Sequence, residues 1–373
     1  MYDVIIIGCG VVGAATAYQL AKYRLRTLVL EAQNDVANGT TKANSAIIHA
    51  GYDPEPGTQM ARLNVQGNRM AGEICEKLGV PFARVGSLVL AFCEAERQTL
   101  ETLFQRGQAN GVPACAFDGP GPAPWSRTSA KPQAALYAPS AGIVDPWRFA
   151  LMAETAVEMR SCACKALSPP LTKRRAAFAC RCAAPMKRAM CSTPPGCRQT
   201  RCRPAGSAGY AITPSRGEYY PMDKSQRAGG AHYLSMPQPV ARACWWRPPC
   251  TATHCGPHAE PVRINGRWPT GAGLAYVRKT ALAACRAEFP RKHPQFCGPA
   301  RRQHTDDFIL ESGQPWLSTW RASNRPAYQR PGHWRPGGAV AAPKGVALEE
   351  KPVAKGAAPL FCSAERRREN ALI

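Results

Sequence analysis

The chain has 373 residues, 17 of them cysteine, and a formal charge of +23, which suits two domains or one large two-lobed enzyme. The charge is lopsided: Lys and Arg number 13 against 14 Asp and Glu through Met159, and 35 against 11 from Arg160 onward. A nucleic-acid-binding reading therefore cannot rest on the chain as a whole. No apolar run approaches the roughly 20 residues that span a bilayer. The apolar N-terminus also carries Asp3 and has no basic leader region, so a cytoplasmic protein with reduced thiols is expected.

Tyr2–Ile7 is a short β-branched run of the kind found in strands buried on both faces. Gly8, Gly10 and Gly13 follow as G-x-G-x-x-G. The first allows a tight turn, the second lets backbone approach a pyrophosphate, and the third lets helix pack close on strand. A helix from Val11 to about Tyr23 would aim its N-terminal N–H groups at the phosphates. A second strand, Arg26–Leu30, ends at Glu31, 18 residues past Gly13, where an acid should accept the ribose hydroxyls. A carboxylate there would repel the extra phosphate of NADP.

The next stretch, GTTKANSAIIHAGYD (39–53), sets small and hydroxyl residues before a short apolar run and His49. It resembles the FAD-dependent glycerol-3-phosphate dehydrogenases and L-2-hydroxyglutarate oxidases of the D-amino-acid oxidase superfamily. The resemblance continues through GSLVLAF (86–92), ALYAPSAGIVDP (135–146) and ITPSRGEYYPMDKSQ (212–226). It implies that Thr40, Thr41, Asn44 and Ser45 lie along the flavin and that His49 sits near its reactive face. A histidine could accept a hydroxyl proton there, since its ordinary pKa is near 6.5; the plainer reading is a local hydrogen bond after a strand. Arg216 could hold the anionic end of a substrate by paired hydrogen bonds, or simply stand at the surface beside Glu218. Arg302 lies near where the family keeps a substrate arginine. Tyr219 and Tyr220 read as packing residues.

Leu100, Leu103 and Phe104 recur at helical spacing, with Gly111 suited to a C-terminal cap. Residues 160–205 then hold 11 Lys or Arg, seven Cys and no acid. Their C-x-C pairs lack the spacing of zinc or iron–sulfur sites. Phe178 is the lone aromatic for stacking on RNA. Such proline-rich, acid-free sequence should not supply a central strand.

Shifting the reading frame offers another account. AMCSTPPGC (189–197), read from the last base of each codon, permits Tyr-Val-(Phe/Leu)-Asn-Ala-Ala-Gly-Leu, similar to the strand and turn with which the family's flavin domain resumes. CWWRPPCT (244–251) likewise permits an alternating strand, and ASNRPAY (322–328) a late flavin-contacting segment. The reading predicts a chain that leaves its frame after about residue 113 and regains it at 133–159, 208–226, parts of 254–285, and 305–311. The terminal CSAERRRENALI resembles a link to an iron–sulfur domain, which is expected to be missing from this chain.

The fold class expected is α/β: a Rossmann-like FAD-binding domain (1–80, 140–210, 300–345), a mostly antiparallel substrate domain (81–139, 211–299) and a tail (346–373). By resemblance, the activity is oxidation of a small anionic 2-hydroxy compound by hydride transfer to FAD. Electrons would pass on to a quinone, a partner protein or oxygen. The alternatives are amine or amino-acid oxidation, a basic nucleic-acid-binding protein, or a non-catalytic remnant. No nucleic-acid partner is expected under the main reading, and peripheral association with the inner face of a membrane fits it as well as a cytoplasmic location.

Overall fold

The computed structural model describes residues 3–31, 35–42, 45–113, 116–118, 133–150, 189–191, 212–222, 232–235, 241–246, 253–261, 269–284, 296–303, 307–314, 317–321 and 349. It opens with β1 (Val4–Ile7), α1 (Val11–Leu20) and β2 (Thr27–Leu30). β1 and β2 are parallel, Val4 opposite Thr27 and Ile7 opposite Leu30. All four residues of β2 are buried, as a strand covered on both faces requires. The helix stops at Leu20, short of Tyr23, because the chain must reverse before β2. Lys22 and Tyr23 close that turn by donating to the carbonyls of Gln19 and Leu20. Asp3 pins the return, its carboxylate accepting from the Arg26 N–H at 3.0 Å.

The middle of the chain forms β3 (Ile47–Ile48), α2 (Gln59–Lys77), β4 (Phe82–Ala83), β5 (Ser87–Ala91) and α3 (Glu94–Ala109). It continues with β6 (Ala116–Asp118), β7 (Ala134–Ala138), β8 (Gly142–Val144) and α4 (Pro146–Ala150). α3 matches its sequence pattern, with Leu100 and Leu103 buried and Gly111 at φ +71° just past its end. The 19-residue α2 escaped the sequence reading. Asn64 and Asn68 interrupt its apolar stripe, yet both are buried with Met60, Leu63, Ala71 and Ile74.

Later come β9 (Ala189–Cys191), β10 (Ile212–Met222), β11 (His232–Ser235), β12 (Ala241–Trp246) and β13 (Thr253–Pro261). α5 (Gly271–Ala284), β14 (Phe296–Gln303), β15 (Ile309–Gln314) and β16 (Leu317–Arg321) complete the order. Three sheets result: β15-β16-β9-β1-β2, β14-β10-β13-β12-β11-β5-β7-β6, and β3-β8-β4. The first is largely parallel, a Rossmann-like layer. The second is antiparallel except where β11 runs parallel to β5. The fold class is thus the one expected.

The sequence reading erred in denying the basic segment a central strand. β9 lies between β1 and β16, parallel to both, with Met190 opposite Ile6 and Ser318. Three residues free of proline are enough, because a ladder needs only backbone N–H and C=O groups. Proline elsewhere sits where the ladder tolerates it. Pro214 faces only β14 and Pro221 only β13. Pro257 falls in the irregular register that β13 shows to both neighbours. Residues 322–328 lie outside the described residues, as do most of 160–205 and all of the tail except Glu349, whose carbonyl accepts from the Arg24 N–H at 2.8 Å.

Two apolar clusters support the first 150 residues. Val4, Ile6, Ala14, Leu20 and Phe149 pack in one. Leu100, Leu103, Val89, Leu136 and Ile143 pack in the other. No helix among the described residues is long and apolar enough to cross a membrane.

Candidate active site

The cradle at the end of β1 is built from backbone. Gly8 adopts φ +93°, a conformation that costs glycine little, and its N–H donates to the Leu30 carbonyl at 2.7 Å. That bond draws the ends of β1 and β2 together, so the Cys9 N–H reaches the Glu31 carboxylate at 2.6 Å. Gly10 starts α1 without a side-chain cap, and no acid occupies the first turn. The Val11 N–H instead meets Thr41 Oγ1 at 3.1 Å, and a Cβ on Gly10 would stand 3.3 Å from the same oxygen. Gly13 is buried within α1. A helix start free of carboxylates, a bare glycine and an acid at the end of the second strand fit the pyrophosphate and ribose of a dinucleotide.

The structure brings Gly8, Gly10, Gly13, Glu31 and Thr41 together, with Thr40 half-buried in the same turn. Asn44 lies outside the described residues. Ser45 is buried, and its Oγ shares a hydrogen bond of 3.2 Å with the Tyr219 hydroxyl on β10. Tyr219 is therefore more than packing: it joins the glycine-loop side of the molecule to the larger sheet. Ala46 follows at φ +53°, a left-handed conformation that costs a non-glycine residue about 1–2 kcal/mol. Its carbonyl accepts from the Val144 N–H at 3.0 Å.

His49 follows β3 and is buried. Its carbonyl accepts from Asn64 Nδ2 at 2.9 Å and from Asn68 Nδ2 at 3.0 Å, both on α2. Asn68 is itself held by Arg84, which donates to its Oδ1 at 2.9 Å and its carbonyl at 2.8 Å. Arg84 also donates to the Ser140 carbonyl and lies 5.4 Å from the Phe82 ring centroid. Burial lowers the Arg84 pKa from its ordinary value. The imidazole Nδ1 of His49 stands 3.8 Å from Asp53 Oδ2, an ion-pair rather than a hydrogen-bond separation. Asp53, Asn64, Asn68 and Arg84 were missed in the sequence. The available signals were the i,i+4 spacing of His49 with Asp53 and of the two asparagines.

The two arginines occupy neighbouring strands but alternate registers. Arg216 on β10 pairs with Glu260 and Pro299, while Arg302 on β14 pairs with Thr213. Because a strand alternates faces with a period of two, position 216 shares the face of Glu218. Position 302, opposite Thr213, shares the face of Tyr219. The Glu218 face meets α5: this fully buried carboxylate accepts from the Thr270 N–H at 2.6 Å and its hydroxyl at 2.8 Å. The Tyr219 face meets Ser45.

Residues 3–291 match the family model described as FAD dependent oxidoreductase. A glycerol 3-phosphate dehydrogenase of Caloramator mitchellensis is 50% identical over 168 residues, covering 42% of this chain and 34% of that protein. A mitochondrial L-2-hydroxyglutarate dehydrogenase of Dictyostelium discoideum is 36% identical over 115 residues, 30% of this chain and 26% of its own length. The chain thus spans about a third of the length of the curated relatives it matches. The solved structure of dithionite-reduced L-alpha-glycerophosphate oxidase from Mycoplasma pneumoniae with FAD bound shares the fold. Its TM-score is 0.77 at 20% identity, over 94% of this chain and 96% of that one.

Proposed function

This chain belongs to the FAD dependent oxidoreductase family, and from that premise we propose that it oxidises a small anionic 2-hydroxy compound of glycerol 3-phosphate or 2-hydroxyglutarate type. The observation carrying this reading is the continuity of residues 31–53, which run from a dinucleotide cradle through Thr41 and Ser45 to a buried histidine. The relatives named for glycerol 3-phosphate and L-2-hydroxyglutarate support the substrate class. FAD, when bound, supplies the acceptor for the hydride that leaves the hydroxyl-bearing carbon.

The chain's own residues do the rest. Glu31 would receive the ribose hydroxyls and the N-terminus of α1 the phosphate, and by resemblance Thr40, Thr41, Asn44 and Ser45 would line the flavin. His49 takes the substrate hydroxyl proton at a ring nitrogen, which is general-base chemistry suited to its ordinary pKa. Arg216 and Arg302 are the candidates to hold the substrate's anionic group by paired hydrogen bonds. We assign residues 1–80, 140–210 and 300–345 to the cofactor domain, 81–139 and 211–299 to the substrate domain, and 346–373 to a tail. Reducing equivalents then leave for a quinone, a partner protein or oxygen. The setting is cytoplasmic or peripheral to the inner face of a membrane.

Flavin absorbance under anaerobic mixing tests the reading. Glycerol 3-phosphate or L-2-hydroxyglutarate should bleach it, and His49→Gln should slow that bleaching by about 10²–10⁴-fold. Bleaching by amino acids alone would replace the reading with amine oxidation. The intact activity is assigned to the frame-restored form of the chain, and sequencing gene and transcript across codons 110–345 is expected to show displaced bases.

A further inference from the structure

We propose that Asp53 is the positioning residue that fixes how His49 carries its proton, an inference that rests on the reading of His49 as proton acceptor. The two side chains are 6% and 9% exposed, and Nδ1 faces the carboxylate across 3.8 Å. A buried carboxylate is costly unless a partner of opposite charge or a donor compensates it. The imidazole is such a partner once it gains a proton.

The backbone between them is held as a functional turn would be. Gly51 sits at φ +120°, and a Cβ there would come 2.6 Å from Val65 Cγ2, so the turn demands glycine. Asn64 and Asn68 on α2 hold the His49 carbonyl. On the other side stands Asn110, the C-terminal cap of α3, whose Nδ2 donates to the carbonyls of Gly51 and Pro54 at 2.9 Å each. Arg106, also on α3, donates to the Asp53 carbonyl at 3.4 Å and pairs with Glu55. Two helices therefore grip the stretch from His49 to Pro54 at four carbonyls. The separation of Nδ1 from the carboxylate follows from backbone held at both ends.

The electrostatic consequence has a definite sign. An adjacent carboxylate favours imidazolium and raises the histidine pKa, whereas burial lowers it. Among the described residues, charged groups around the turn include Arg106 and Glu55, which pair with each other, and Arg84, which is linked to His49 through Asn68. Asp53 is the charge on the ring itself. Across 3.8 Å, beyond hydrogen-bond reach, it acts through its charge: it favours the Nδ1–H form of neutral His49, leaves Nε2 for the substrate hydroxyl, and stabilises the cation formed when Nε2 takes that proton.

The test is the titration of His49 in the full-length chain labelled with ¹⁵N-histidine, its signal assigned with His49→Gln. In the neutral wild-type ring the Nδ1–H form should predominate. Asp53→Asn should lower the midpoint by about one pH unit and, in the flavin-loaded frame-restored protein, move the acid limb of anaerobic substrate oxidation the same way, with Asp53→Glu restoring part of both. A wild type whose neutral ring carries its proton on Nε2 overturns the proposal without any variant. So does an unchanged midpoint in Asp53→Asn; if His49→Gln still abolishes oxidation, His49 keeps its role and Asp53 loses its own. Should Asp53→Asn move the midpoint while His49→Gln oxidises substrate normally, the pair is structural and both readings fall.

Discussion

Asn68 and Met190 show how differently the two parts of this molecule are held. Within the first 150 residues, Asn68 joins the carbonyls of His49 and Ser140 and is clamped by Arg84. The site there depends on the identity of each side chain. Met190 belongs to a stretch whose composition resembles no strand, yet its backbone completes the parallel sheet between β1 and β16. A ladder asks only for N–H and C=O groups, while a site asks for particular side chains at particular distances. Topology can therefore persist across sequence that carries no packing pattern.

Among the described residues, the later side chains tied to the early region include Tyr219 on Ser45, Asp307 on the start of α2, and Phe308 against Met60 and Leu63. All three fall in stretches that resemble the family without any shift of frame, 208–226 and 305–311. This sets the largest expected effect. A frame-restored gene should yield protein that purifies with one FAD per chain, whereas the chain as written should retain far less, read from flavin absorbance after desalting. Stoichiometric flavin in the chain as written would erase the contrast between the regions.

The next effect lies wholly inside the early region. Phe149 is fully buried in the cluster that supports α1. Phe149→Ala should cost about 3–5 kcal/mol of stability, from lost burial and the cavity left behind, measured by urea denaturation. A loss under about 1 kcal/mol would mean that the cluster does not hold the cradle's helix in place.

Glu31→Gln should act on binding more than on folding. It leaves a neutral oxygen to accept from the Cys9 N–H but removes the charge proposed to accept the ribose hydroxyls, and a hydrogen bond to a charged group is worth about 1.5–3 kcal/mol. FAD affinity should fall by about 10- to 100-fold in a fluorescence titration, with the melting temperature of the flavin-free protein little changed. Equal affinity would show that this carboxylate serves only the turn.

Much of the cradle was legible because each glycine answers a backbone demand, and backbone demands are local. His49 was legible through its resemblance and its place after a short apolar run. Asp53, Arg84 and the two asparagines were not, because their roles depend on distance in space. An asparagine on a helix reads as a polar interruption until the carbonyl it serves is known. The two arginines show the same limit. Nothing in their spacing reveals that β10 and β14 pair in a register separating position 216 from position 302 by an odd number of steps. Among the cysteines, burial pushes the Cys75 thiol up to about 12, so it acts as an apolar filler.

The smallest effects sharpen the comparison most, because both regions cap one helix. Thr58 Oγ1 accepts from the Ala61 N–H at 3.1 Å, and Asp307 accepts from Gln59 and Met60 at 3.0 and 2.7 Å. A Thr cap is worth about 1 kcal/mol, while hydrogen bonds to a charged acceptor are worth about 1.5–3 kcal/mol. Asp307→Ala should therefore destabilise the protein more than Thr58→Ala, by about a factor of two in urea denaturation. The double variant should lose more than the sum of the two, since each cap limits fraying when the other is gone. If Asp307→Ala instead costs nothing while Thr58→Ala costs its full amount, α2 is capped from its own region alone. Residues 305–311 would then contribute to the fold through Phe308 and the β15 ladder, and the later region would be tied to the site by backbone pairing and Tyr219.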